Sequence, residues 1–200
     1  RQTLLPDRTQ VPGPSLRSGD FGEILVADYI EYVLGYWCPR ELRYQERWNR
    51  NDSTKGCDVI GFKFSSDGQI SPEDELFIFE AKSGMSVSAA NRLQDAITDS
   101  DKDRLREAMS LNAIKQKFVT RNAIDDANRV KRFQNMADRP FRRINGAAAI
   151  LDQVVLEATD LTIADASAHH NAANIRLIVI KGPSLMQLIH AIYERAADEA

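Results

Sequence analysis

The chain has 200 residues, 43% hydrophobic and 28% charged, which suits one globular domain of moderate size with a real core. Nothing approaches about eighteen uninterrupted apolar residues and no basic segment leads into an apolar run, so neither a membrane-spanning helix nor a secretory signal is expected. Two cysteines, Cys38 and Cys57, stand outside any zinc-ligand spacing and fit a reduced, cytoplasmic protein, and a first residue of Arg1 rather than Met leads one to expect further residues upstream.

Residues 1–18 hold three prolines and little apolar periodicity, and read as an extended tail or linker. A helix is predicted from Gly19-Asp20, with Ile24, Ala27, Ile30 and Val33-Leu34 as its apolar stripe and Gly35 as its stop. A strand is predicted over 40–48 and a polar loop from Asn49 to Gly56. Cys57 to Phe64 and Leu76 to Ala81 read as two strands joined through the turn signal Ser65-Ser66-Asp67-Gly68, pairing as a hairpin. Residues 86–117 and 121–137 read as helices, and Gly146 to Leu156 as a strand. Ile175 to Lys181 is almost continuously apolar and suits a buried central strand. Gly182-Pro183-Ser184 then opens a last helix. The order predicts a single α/β domain over 19–200, with a mixed central sheet flanked by helices.

A net charge of −3 does not advertise nucleic-acid binding, but its distribution is uneven. Lys102 to Arg143 carries twelve Lys and Arg against five acids, a local +7 that leaves −10 for the rest. Carboxylates for a metal beside cations for phosphate would produce that asymmetry. So would helices with solvated basic faces. Lys102, Arg104, Arg129, Lys131, Arg132, Arg142 and Arg143 are the candidate phosphate contacts.

The chemistry concentrates on the hairpin. Asp58 opens its first strand, and Glu80 and Lys82 close the second, 22 residues downstream of Asp58. Residues i and i+2 of a strand project to one face, roughly 6–7 Å apart. Charges at the end of an apolar strand are costly unless paired or bound to metal. Two carboxylates from adjacent strands make a hard oxygen site suited to Mg²⁺, and a nearby ammonium can hold or activate a water. The plain alternative is a solvent-exposed Glu–Lys pair.

Glu23 on a helix, Asp58 on a strand and Glu80-Ala81-Lys82 on the next strand resemble the PD-(D/E)xK nuclease superfamily. The segments GEILVADYI, KGCDVIGF and LFIFEAKS are similar to the nuclease subunit of the Hachiman anti-phage defence system, HamA. The match spans Gly19 to Ser83, and Cys57 stands where the superfamily name has proline. The resemblance implies a restriction-endonuclease-like fold and Mg²⁺- or Mn²⁺-dependent hydrolysis of DNA. It implies Asp58, Glu80 and the Ala81 carbonyl as metal ligands, Lys82 positioning or activating the water, and Glu23 assisting from the helix. It also implies a superfamily 2 helicase partner, HamB-like. The rival is a non-catalytic nucleic-acid-binding or assembly subunit that keeps a nuclease-like fold.

Other residues read more simply. His169-His170 sit in a polar stretch without a third ligand at zinc spacing and are expected on a surface loop. His190 and Cys57 are expected in packing roles. Trp37 and Trp48 are expected to pack rather than stack bases, and Asn49, Arg50, Asn51 and Lys55 fit either a phosphate-contacting or a solvated loop.

Overall fold

The computed structural model describes residues 5–40, 56–66 and 69–199. The expected strand over 40–48, Trp48, the 49–55 loop and the Asp67-Gly68 turn residues lie outside these, Arg40 and Gly56 excepted.

The first helix, α1, runs Gly13–Asp28 and continues as a wider turn through Tyr29–Val33. It starts six residues before the predicted Gly19, so the expected tail is helical from Gly13 onward. Pro14 in the first turn lacks only an N–H that no helix start uses, and so opens the helix instead of breaking it. Arg17 is buried and its Nε donates to the Pro6 carbonyl at 2.8 Å, which ties the preceding residues down. Gly35, at φ +72°, ends the element as predicted.

Among the described residues four strands follow: β1 (Val59–Lys63), β2 (Glu75–Gly84), β3 (Arg142–Asp152) and β4 (Ile175–Gly182). They lie in the order β1-β2-β3-β4, with β1–β2 antiparallel and the other two pairs parallel. The expected hairpin is present, and Trp37 adds an antiparallel bridge to Phe62. Between β2 and β3 come α2 (Arg92–Ser100), α3 (Asp103–Thr120) and α4 (Ile124–Lys131). The predicted 86–117 helix is thus two helices with a corner at Asp101-Lys102. The short α5 (Gln153–Glu157) follows β3, and α6 (Leu185–Asp198) ends the fold. The protein is a single mixed α/β domain with a four-stranded sheet between helices. Among the described residues no helix is long and apolar enough to cross a membrane.

Strand alternation sorts the layers. Phe77 and Phe79 face α1, packing with Val26, Ala27 and Ile30. Leu76 and Ile78 face the other way, with Leu111, Ile114 and Phe118 of α3 and Val130 of α4. Contact between α1 and β2 is close at Gly22, where an added Cβ would stand 2.5 Å from Ser83 Oγ. Ser83 Oγ in turn donates to the Ser18 carbonyl at 2.7 Å.

The central strand is not the one the apolar run predicts. β3 is flanked by strands on both sides and buried from Ile144 to Asp152, whereas β4 lies at the sheet edge with Arg176 and Leu177 exposed. The small residues of Gly146-Ala147-Ala148-Ala149 hide β3 from a hydrophobicity count, yet Ala147 and Ala149 let α2 approach through Leu93, Ala96 and Ile97, and on the other face Gly146 leaves room for the Phe79 ring. Asp152 ends β3 earlier than predicted. Its carboxylate accepts from Val154 N at 3.3 Å to start α5, and from Leu185 N at 2.8 Å to start α6.

Candidate functional site

β1 stops pairing at Val59–Phe79, so Glu80 to Gly84 of β2 pair only with β3 among the described strands. The site forms at this opening. Asp58 precedes β1, and its Oδ2 accepts from Ala81 N at 2.9 Å, where a strand would otherwise pair. In an antiparallel ladder the N–H and C=O of one residue point to the same side. The Ala81 carbonyl therefore also faces the side occupied by Asp58.

Glu80 is only 3% exposed, and it projects to the α2–α3 side of the sheet together with Lys82. Its Oε1 accepts from Lys82 Nζ at 2.6 Å, while the buried Oε2 has no hydrogen-bond partner. Lys82 Nζ also reaches Asp99 Oδ2 of α2 at 2.7 Å. Burial, then the nearby charge of Asp58, push the Glu80 carboxyl up to about 7, against the pull of Lys82. Burial works against the Lys82 ammonium, but its hydrogen bonds to Asp99 and Glu80 prevail and hold it charged well above the ordinary lysine range.

Two acids here were not singled out from the sequence. Asp99 is the second partner of Lys82. Asp103, in the first turn of α3, is fully buried, and burial followed by the charges of Glu80 and Asp58 pushes it up to about 8. The only sequence signal was their i, i+4 spacing, which a solvated helix face shows equally. Glu23 is half-buried on α1, next to the close contact at Gly22. It belongs to the layer across the sheet from the Glu80 side chain.

The basic stretch does not form one patch. Arg132 is 5% exposed, and its guanidinium is used on Asp74 Oδ2 and the carbonyls of Ser71, Arg139 and Pro140. It is a structural residue, which corrects its expected role on phosphate. Arg143 is half-buried and donates to Glu107 Oε1 at 2.7 Å. Arg142 lies opposite Glu75, five residues along β2 from Glu80, or about 17 Å. Arg129 lies 4.0 Å above the Trp37 ring and pairs with Asp126. Lys131 is exposed at the end of α4. Lys102 and Arg104 are exposed at the α2–α3 corner, beside Asp103.

The histidine expectation changes in part. His170 is exposed, but His169 is 6% exposed, with the two rings stacked at 4.5 Å. Asp101, His169 and His170 bring ligand-type atoms within 4.8 Å of one another. His169 Nδ1 accepts from Asn171 N at 3.0 Å, so the proton of the neutral ring sits on Nε2, facing Ser100 Oγ at 3.2 Å. A metal would need that Nε2 lone pair, so the cluster instead clamps the α2–α3 corner. Cys57 is fully buried and burial drives its thiol well above the ordinary range, as a packing residue. Trp37 packs on Phe62 and Phe118, and His190 lies 3.3 Å from Arg17 at the α1–α6 contact.

The donor set at the sheet opening is all oxygen, and it includes an orphaned buried Glu80 oxygen beside a second carboxylate. That suits a hard divalent cation. Fold and site together define a mixed α/β domain with a carboxylate–lysine centre where its antiparallel hairpin opens. The family model described as HamA matches residues 1–196. The chain belongs to the HamA family, and that membership suggests a role in Hachiman defence. No curated protein matches the chain.

Proposed function

We propose that this chain is a divalent-metal-dependent nuclease of the PD-(D/E)xK type, hydrolysing DNA with little sequence preference as the effector of a Hachiman anti-phage system. The observation that carries this reading is the pairing of Asp58 with a buried, half-satisfied Glu80 and a charged Lys82 at the open end of the hairpin. Asp58 and Glu80 would hold Mg²⁺ or Mn²⁺, with the Ala81 carbonyl as a further oxygen donor. Such an ion, when bound, polarises a phosphate oxygen and lowers the pKa of a bound water. Lys82 stays an ammonium between Glu80 and Asp99, so it orients the attacking water and offsets phosphate charge as a donor instead of removing a proton. The sheet order and the position of the acids at its opening support a restriction-endonuclease-like fold.

Supercoiled plasmid is expected to be nicked with Mg²⁺ or Mn²⁺ and left intact after exhaustive chelation. Cleavage that survives chelation would sink the metal reading. No cleavage under either condition, with DNA still bound, would favour a non-catalytic binding subunit.

Phosphate contacts are assigned to Lys102 and Arg104, the exposed cations at the corner that bears Asp99 and Asp103. Each lost contact flattens the dependence of log affinity on log salt by roughly one unit. Lys102→Glu with Arg104→Glu should therefore reduce the slope by about two, and Arg142→Glu should change it less. Equal slopes for wild type and the double variant would remove this corner from the DNA path.

The helicase partner is inferred from family membership: a nuclease with little sequence preference needs restraint from outside its own site. Co-purification with a superfamily 2 helicase of the same system tests it.

A further inference from the structure

β4 closes one side of the sheet, and among the described residues no strand pairs with its outer side. Alternate residues of a parallel edge strand aim their N–H and C=O away from the sheet. Among the described residues no backbone hydrogen bond from outside the ladder reaches Ile175–Gly182. Edge strands are ordinarily blunted by charges, proline, bulges or a covering element. β4 has no proline, and its register with β3 is unbroken from Ile175 to Gly182. Its cations, Arg176 and Lys181, stand near its ends, and the residues between them, Leu177-Ile178-Val179-Ile180, are apolar, with Leu177 exposed.

α6 is bare on the same side. Leu185 and Ile189 are its buried residues, and Leu185 packs in the cluster of Ala148 and Ile150. His190 and Tyr193 face α1, meeting Arg17 and Asp20. At about 100° per residue, Leu188 and Ile192 fall on the flank opposite that contact. α1 itself packs on Phe77 and Phe79 of β2, so this flank of α6 is turned toward the β4 edge. Leu188 and Ile192 are both exposed. The edge is thus an unpaired backbone with an apolar ridge on one face and Leu177 on the other.

We propose that a second copy of this chain docks here, β4 pairing antiparallel with its own counterpart across a two-fold axis normal to the sheet. That symmetry sets the two α6 helices side by side on one face, where Leu188 and Ile192 meet their equivalents. It also keeps the cations apart. A two-fold centred on Ile178 or Val179 sets Arg176 and Lys181 opposite isoleucine, leucine or glycine, and only a centre midway between those two residues would set them against each other. A strand of this length spans about 26 Å, and strand plus helix layer make a face about 20 Å deep. Two such faces hide about 1,000 Å², the lower end for a specific interface, so the dimer should dissociate on dilution. This inference is independent of the nuclease reading.

The test is light scattering and sedimentation equilibrium of the full chain over a concentration series. Wild type should show a reversible monomer–dimer equilibrium. Leu188→Glu with Ile192→Glu and, separately, Leu177→Lys should each weaken it about tenfold or more, by placing charge on the covered strip. All three positions are exposed, so circular dichroism should match wild type. A wild type that stays monomeric at its highest soluble concentration overturns the proposal. Should the variants then also fail to co-purify with the helicase, the strip belongs to that partner instead. A dimer that both variants leave unchanged overturns it as well, since the interface then lies elsewhere.

Discussion

Glu80→Gln and Lys82→Ala should each lower Mg²⁺-dependent cleavage by about 10²- to 10⁴-fold or more, the range expected when a group aligned on the reacting atoms is removed. The two should differ in stability. Glu80 sits 3% exposed beside Asp58, with one oxygen unsatisfied, so the isosteric amide removes a buried charge at no cost in packing. Its melting temperature without metal should equal or exceed that of wild type. Lys82 stands between Glu80 Oε1 at 2.6 Å and Asp99 Oδ2 at 2.7 Å, so its removal leaves two carboxylates facing each other. Lys82→Ala should therefore be the less stable variant at neutral pH, and it should recover on mild acidification as Glu80 takes a proton. Plasmid nicking and thermal melts on the same preparations check both halves. A wild-type cleavage rate in either variant would remove that residue from the active site.

The second large effect lies away from the chemistry. Arg132→Met should destabilise the fold by about 3–5 kcal/mol, the cost of leaving one member of a buried ion pair unpartnered. Arg132 Nε donates to Asp74 Oδ2 at 3.0 Å, Nη1 to the Arg139 carbonyl at 2.8 Å, and Nη2 to those of Ser71 and Pro140 at 2.7 and 2.8 Å. Asp74 also accepts from Ser65 N and Ser71 N, and its own carbonyl accepts from Arg142 N. One guanidinium thus fastens the β1–β2 connection to the segment that leads from α4 into β3. Burial opposes the Asp74 charge, but the Ser65 and Ser71 hydrogen bonds and Arg132 hold its carboxyl below the ordinary range. A depressed carboxyl contributes stability that is complete above its unfolded pKa, about 3.9. That contribution is lost as pH falls through the lower folded value. Urea denaturation at neutral and acid pH should show wild type losing this increment and Arg132→Met losing less of it. A difference under about 1 kcal/mol at neutral pH would show that the latch is not what holds these segments.

Much was legible in the sequence because it depends on local pattern. The apolar runs Cys57 to Phe64 and Leu76 to Ala81, split by the Ser65-Ser66-Asp67-Gly68 turn signal, implied the hairpin, and period two placed Glu80 and Lys82 on one face whatever packed over them. The apolar stripe of α1 and its stop at Gly35 were likewise local, since helix geometry and a positive φ need no distant partner. The order of elements was enough for a mixed α/β domain. The start of α1 was misread because Pro12, Gly13 and Pro14 look like punctuation, although proline is compatible with a first turn. Three decisions belonged to the tertiary structure. Small Gly146 to Ala149 sit in the central strand and apolar Ile175 to Gly182 at the edge, because helix approach, and not hydrophobicity alone, chose the centre. Arg132 leaves the solvent, and Arg143 in part, because Asp74 and Glu107 meet them from distant parts of the chain. Asp103 becomes a buried acid only once α3 docks over the entry to β1. Periodicity and strand pleat are properties of neighbouring residues, so the sequence contains them. The burial of a charge is decided by whichever remote element covers it, and that appears only when the layers are assembled.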